Sequence, residues 1–363
     1  MNRFIISLLS LLVFSQVSFS QNTLQKAKTG NIEAMVILAQ EYYSGVGQIQ
    51  NYANALTWFE RAANKNHVEA CYRTAQMYEK GQSVPKNQRI AFNYYIKAAE
   101  KGHFKSQFIV ADWLERGIGI VKSDGRAFLW YRVCAERGET IPCRKMGDYF
   151  AFGRVVAQDH AMAKYWYEKS VANGDIESKS NLAYLYVAEE GLAPNYSKAK
   201  ELNAEPLKKQ IPISYYTEGM IYLNDSDDKA KAFDYLSRAM NFGIKDANYK
   251  VAIMKYYGQG TSQNISQAIN IMEGLPSQYE NEVSYLIASA YSTGNGVNQD
   301  YKKALDYYKK SANLNNSDAC KAIAKIYEKG EGVKKNLKEA KKWNKKAEEI
   351  LNPKPIKKSK KKK

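Results

Sequence analysis

The stretch Ile287-Ala288-Ser289-Ala290-Tyr291-Ser292-Thr293-Gly294-Asn295-Gly296-Val297, followed by Lys303-Ala304-Leu305-Asp306-Tyr307-Tyr308-Lys309-Lys310-Ser311-Ala312, decides the fold. Its two halves return along the chain. The glycine of the first half stands at Gly45, Gly81, Gly117 and Gly153, and again at Gly258, Gly294 and Gly330. The aromatic pair of the second half stands at Trp58-Phe59, Tyr94-Tyr95, Trp130-Tyr131 and Trp166-Tyr167, then at Tyr307-Tyr308 and Trp343. The first three steps of each register are 36 residues long. A fixed period of this size marks stacked helical units that cannot bury their apolar faces singly.

The first unit shows why each half is a helix. Ala34, Leu38, Ala39 and Tyr42 fall on one face of a 3.6-residue period. The small residues allow a neighbouring helix to approach closely. Gly45 follows where the chain leaves the helix, a position that favours the left-handed conformation. A second helix begins near Tyr52 and buries Ala55, Leu56, Phe59, Ala62 and Ala63. The set returns as Ala70, Thr74, Ala75, Tyr78 and Gly81, and near the end as Ala319, Ile323, Ala324, Tyr327 and Gly330. We call the two helices of each unit A and B.

This pattern resembles the Sel1-like repeat, a relative of the tetratricopeptide repeat, over roughly residues 30–350. The resemblance implies an all-α, right-handed α-solenoid of about nine 36-residue helix-turn-helix repeats. It further implies an exported bacterial scaffold or adaptor that binds a peptide or protein on its concave groove, without catalysis. Two alternatives are a cell-wall or β-lactam-related enzyme of the cysteine-rich Sel1-like type and a secreted effector acting on host proteins. No residue here carries over the β-lactam association of those relatives.

The ends differ from the body. Arg3, the apolar run 4–14 and Ser18-Phe19-Ser20 make residues 1–20 a signal peptide, placing the mature protein in the periplasm or the medium. Residues 21–186 hold repeats 1–4 and the start of 5, residues 187–282 hold degenerate repeats 5–7, and residues 283–351 hold repeats 8–9. In the centre, Glu189 replaces a glycine, Leu202-Asn203 replaces an aromatic pair, and Pro206 and Pro212 oppose continuous helices. Repeat 6 is three residues short, and Gly274-Leu275-Pro276 stops a helix early in repeat 7. Residues 352–363 read as a disordered basic tail. The formal charge is +17, and the seven lysines of the tail together with Arg3 leave a body near +9. That balance favours acidic partners or surfaces. Lys357, Lys358, Lys360, Lys361, Lys362 and Lys363 could meet an anionic surface, and no specific nucleic acid is implied.

The repeating frame absorbs most candidates for chemistry. His67 and His103 lie one period apart in the turn before helix A, and His160 stands alone. No metal or cofactor is expected, because ligands must converge in space. Gly-x-Gly pairs recur once per repeat and end helices. Ser197-x-x-Lys200 matches a nucleophile spacing but lacks its companion motifs. Cys71, Cys143 and Cys320 share one slot of helix A. Cys134 and Cys143 flank a turn and form a candidate disulfide in an exported protein, the alternative being reduced thiols filling alanine-sized slots.

One column of helix A remains: Val36, Tyr72, Phe108, Arg144, Ser180, Tyr216, Tyr249, Tyr285 and Lys321. Five of its nine members are aromatic. It reads as neither packing face nor loop, and in arrays of this kind helix A lines the concave surface. Tyr72, Phe108, Tyr216, Tyr249 and Tyr285 are therefore candidate partner contacts, with Arg73, Lys145, Lys250 and Lys325 as a basic edge. The competing reading packs these rings between adjacent A helices. Mass spectrometry of the exported chain should find Gln21 at its N-terminus; a retained Met1 would refute the signal peptide.

Overall fold

The computed structural model describes residues 21–188, 191–226 and 228–352. The expected signal peptide, Glu189 and the lysines of the tail lie outside them. The described residues form an all-α solenoid of helix pairs that divides into two compact units, at Ser178 and Lys179. No described helix is long and apolar enough to cross a membrane.

Helices A and B run in register with the sequence period: Ile32–Ser44 and Tyr52–Asn64, then Val68–Lys80 and Gln88–Glu100, then Phe104–Arg116 and Asp124–Glu136. Helix B of repeat 1 buries the five residues expected of it, with Trp58 in addition. In repeats 1–4 and 6–9, A helices pack on their own B helices, and within each unit B helices pack on the next A helix.

Every B helix begins with the same device. Asn51, Asn87, Ser123, Asp159, Asn195, Asp228, Asn264, Asp300 and Asn336 are its N-caps, each side chain accepting a backbone N–H of the first turn. The N–H of each cap residue also reaches back to the end of helix A. Asn51 donates to the Tyr42 carbonyl at 2.8 Å, Asn87 to Tyr78 at 2.9 Å and Asn195 to Tyr186 at 3.1 Å. The bond persists in the shortened repeat, where Asp228 donates to Tyr222 at 3.1 Å. One residue thus starts one helix and ties the loop to the other.

The two glycines of the A–B loop have different roles. The first adopts the left-handed cap, as Gly45 does with φ 74°. The second is forced by stacking. A Cβ on Gly119 would lie 2.5 Å from the Gln88 carbonyl oxygen, and one on Gly260 would lie 1.9 Å from that of Lys229. Each meets the start of the preceding B helix. Gly47, in the first repeat, meets nothing within 4 Å. The constraint on this position is therefore between repeats.

The B-helix tyrosines are buried and bonded to acids near the end of helix A. Tyr95 donates to Glu79 at 2.5 Å, Tyr131 to Glu115 at 3.0 Å and Tyr167 to Asp148 at 2.8 Å. Burial pushes the Tyr95 and Tyr131 phenols well up, and the acid bonds add to it. Small residues of helix A make room: a Cβ on Gly147 would lie 2.4 Å from the Tyr167 ring.

The prolines of the centre fit without interrupting the helices. Pro212 opens Pro212–Asn224 in the first turn, where no N–H is needed, and Tyr196–Lys208 continues through Pro206 in its last turn. Asn203 occupies the buried tyrosine slot and donates to the Ser214 carbonyl and to Glu218, both at 3.0 Å. Repeat 7 is shortened most, its B helix Ile265–Met272 having 8 residues, and the A helix of repeat 5, Ile176–Leu185, has 10.

His67 and His103 are helix caps. Their Nδ1 atoms accept from Ala70 N at 3.2 Å and Ser106 N at 3.3 Å. Their Nε2 atoms face Glu33 at 3.5 Å and Glu69 at 3.7 Å on the preceding A helix. Burial lowers the His103 pKa from 6.5, against the pull of Glu69.

Two outcomes test this packing. Gly260→Ala should destabilise by about 3 kcal/mol, from strain and collision together, whereas Gly47→Ala should cost about 1–2 kcal/mol; equal losses in denaturant titrations would refute an inter-repeat constraint. The folded state also disfavours a proton on His103. Its stabilising contribution is complete above the ordinary histidine range and falls as pH drops through it toward the lower folded value. His103→Asn keeps a cap and should flatten that decline in thermal melts.

Candidate functional site

Four aromatic members of the helix A column pack against other rings, in line with the competing reading of that column. Tyr72, Phe108 and Tyr285 each lie against the buried B-helix tyrosine of their own repeat: Tyr95 at 5.9 Å, Tyr131 at 6.2 Å and Tyr308 at 5.7 Å between ring centroids. Tyr216 is buried and lies 5.5 Å from Tyr184. The cause is geometric. Helix A meets its own B helix on one side and the preceding repeat's B helix on another, so two of its faces are covered.

In the first unit the expected basic edge is matched by acids. Arg73 Nε donates to Glu69 at 2.6 Å, and its guanidinium lies 5.7 Å from the Tyr72 ring centroid. Lys145 donates to Glu115 at 2.7 Å and lies 5.8 Å from the Tyr131 ring. Arg154 adds a contact to Glu115 at 3.6 Å. Burial pushes the Glu115 carboxyl up, but Lys145, Tyr131 and Arg154 outweigh it and hold the group below its usual range. Phe108 and Lys145 thus share Tyr131, as Tyr72 and Arg73 share an edge.

The second unit brings Tyr249, Lys250 and Tyr285 to one neighbourhood. Tyr249 stacks on Tyr279 with centroids 4.3 Å apart and planes 11° apart, and its hydroxyl donates to Glu282. Lys250 Nζ lies 5.5 Å from the Tyr249 ring. Beside this stack is a hollow of about 340 Å³ lined by Gln278, Tyr279, Asn281, Glu282, Tyr285 and Asn316. A second hollow of about 240 Å³, with Leu275, Val283 and Ile287 among its walls, sits where repeat 7 lacks its turn. Tyr279 was missed in the sequence because it lies on a short 3₁₀ turn, Ser277–Tyr279, outside the column. The early stop at Gly274-Leu275-Pro276 was its only signal. Lys325 is exposed on Ser317–Lys329. Aromatic walls with an amide and carboxylate rim suit a peptide: rings take a side chain, and amides pair with its backbone.

The expected Cys134–Cys143 bridge is absent; all four cysteines are free and buried. Cys143 instead donates to the Ala135 carbonyl at 3.5 Å, and Cys71 makes the equivalent bond to Ala63 at 3.6 Å. Gln107, in the same slot, donates to Ala99 at 3.1 Å. This slot serves a carbonyl near the end of the preceding B helix, which explains why thiol and amide interchange there. Burial pushes the Cys134 thiol up to about 12, and that of Cys143 up as well. Among the described residues no group of three His, Cys, Asp or Glu side chains could hold a metal ion.

Comparison with known proteins places this architecture. The Sel1 repeat family matches residues 32–67, 68–103, 105–139, 143–175, 176–202, 245–273, 282–316 and 317–349. No match covers 203–244, which contains the shortened repeat. A protective antigen present in uropathogenic Escherichia coli strains, displaying an SLR fold, is 24% identical with a TM-score of 0.61, over 95% of this chain and 78% of that one. A Sel1 repeat protein from Oxalobacter formigenes is 18% identical with a TM-score of 0.46, over 94% and 90%. An immunity protein from Pseudomonas aeruginosa is 20% identical with a TM-score of 0.32, over 58% and 81%. No curated protein matches the chain. Sel1 repeat proteins are generally non-catalytic protein-interaction scaffolds. With eight matches spanning more than half its length, the chain belongs to the Sel1 repeat family.

Proposed function

We propose that this protein is an exported scaffold, periplasmic or secreted and without catalysis of its own, that holds a peptide segment of a partner protein. Its seat is the hollow beside the Tyr249–Tyr279 stack. One observation carries this reading: an aromatic-walled hollow of about 340 Å³ has Gln278, Asn281 and Asn316 on its lining, in a chain whose other aromatic column members are packed inward. Three features support a peptide occupant. Tyr279 and Tyr285 offer rigid apolar area at small entropic cost. The amide side chains can both donate to and accept from an extended backbone. Glu282 and Lys250 place charges of both signs at the edge, which set the register of a bound segment more than its affinity. In the first unit, Tyr72, Arg73 and Phe108 are tied into their own repeats and Lys145 to the preceding one, so they form a separate, secondary candidate surface.

The reading is tested by placing a photo-crosslinking amino acid at Asn281 and, as a control, at the exposed Leu129 in cells. A discrete partner should be captured from position 281 and not from 129. Tyr279→Ala should weaken that capture about tenfold or more while leaving the melting transition nearly unchanged. Capture that is equal at both positions, or indifferent to Tyr279→Ala, would refute the site.

A further inference from the structure

The positive charge of this chain is concentrated at one end. Residues 301–363 hold 21 lysines, no arginine and seven acidic residues, a net of +14 out of +17. All 11 arginines precede residue 239. Part of this excess sits on a folded surface. On the helix Leu337–Leu351, Lys338, Lys341, Lys342 and Lys345 are exposed at positions i, i+3, i+4 and i+7, which is a single helix face. The opposite face is the buried seam of Ala340 and Ala347. In repeat 1 the same four positions carry Ala53, Leu56, Thr57 and Glu60. Leu56 is buried there, as its counterparts Phe92, Phe128 and Leu305 are in theirs. Lys341 thus stands where six of the other repeats carry an apolar side chain, repeats 4 and 5 having Lys164 and Lys200 there. Capping an array requires one polar residue at that position. It does not require lysine at three further positions of the same face.

The acidic neighbours do not cancel this face. Glu339 lies 3.7 Å from Lys342, and Glu349 lies 3.8 Å from Lys345, both on exposed and weakly coupled pairs. Lys334 and Lys335 in the preceding loop, and Lys302 and Lys303 on Tyr301–Asn313, are exposed as well. The seven lysines of residues 353–363 continue the sequence beyond the helix.

We infer that this lysine face docks the protein onto an anionic lipid bilayer. The residue types choose this partner over a nucleic acid. Arginine forks and exposed aromatic platforms serve phosphate and base recognition. Here arginine is absent, and the helix's one aromatic, Trp343, lies on the other side, under Lys346 at 5.0 Å. Lysine is a compact, strongly hydrated charge that adheres to a diffuse negative surface without specific geometry, and clusters of four to eight are the usual size of such a patch. The face has no apolar member, so the contact is peripheral and reversible, and leaves the hollow near Tyr279 free to hold its partner.

The test is sedimentation of the purified full chain with vesicles of phosphatidylglycerol and phosphatidylcholine, with phosphatidylcholine alone, and with a DNA duplex in competition. Each near-surface lysine strengthens adsorption by about fivefold, so Lys338→Gln, Lys341→Gln, Lys342→Gln and Lys345→Gln combined should weaken partitioning on the order of several hundred-fold. The same four-fold change at the exposed Lys198, Lys200, Lys208 and Lys209 should have little effect, and added salt should release the wild-type chain. Equal binding to neutral vesicles, equal losses in both variants, no loss in the first, or displacement by DNA at lower concentration than by anionic lipid would each overturn the proposal. Helical content of both variants, read by circular dichroism, must match the wild type, and a Lys→Arg version of the first variant should restore vesicle binding.

Discussion

The hydrogen bond from the N-cap residue of each B helix back to the end of its A helix is the interaction on which the array depends. A helix pair must solve two problems at its loop: the orphan N–H groups of helix B and the orphan carbonyls of helix A. Asn87 solves both, through its side chain to Ile90 N at 3.0 Å and its own N–H to the Tyr78 carbonyl at 2.9 Å. Fixing the loop fixes the angle between the helices. That angle brings Tyr95 under Glu79 and sets the small-residue slots of helix A against the B-helix rings. A neutral N-cap bond contributes about 1 kcal/mol. Repeated nine times along the described residues, it is substantial beside the 5–15 kcal/mol margin of an ordinary domain.

Stacking adds a constraint of a different kind. The second loop glycine lies on the start of the preceding B helix, so each repeat is shaped by the one before it. Gly119, Gly260, Gly296 and Gly332 all sit within 2.5 Å, Cβ to neighbour, of such a contact. Repeats 2 and 4 place Ser83 and Val155 in the same left-handed conformation, with φ 65° and 73°. Ser83 and Val155 carry a side chain there, so the close approach excludes a Cβ only in the repeats that hold Gly119, Gly260, Gly296 or Gly332.

The period, the helix class and most buried positions were legible in the sequence because they repeat. The cap column was equally regular but less conspicuous, since Asn, Ser and Asp interchange there. Followed through Asn195, Asp228 and Asn264, it passes unbroken through residues 187–282, where the aromatic pairs and the loop glycines of repeats 5 and 6 fail. The centre looked more damaged than it is because Pro206 and Pro212 fall where helices accept them. The buried cysteines invited a bridge, yet Gln107 in their slot already signalled a carbonyl to be served. The tyrosine–acid bonds and the Tyr279 hollow were not legible. The first join residues of different helices, and the second arises from a turn that is missing.

Amide hydrogen exchange measures the central bond directly. The backbone N–H groups of Asn195 and Asp228, in the degenerate repeats, should be protected to within about tenfold of that of Asn87 in a regular one, since all three make the same bond at 2.9–3.1 Å. Exchange at Asn195 and Asp228 at the rate of an unstructured chain, with Asn87 protected, would contradict a cap that carries the array through its centre.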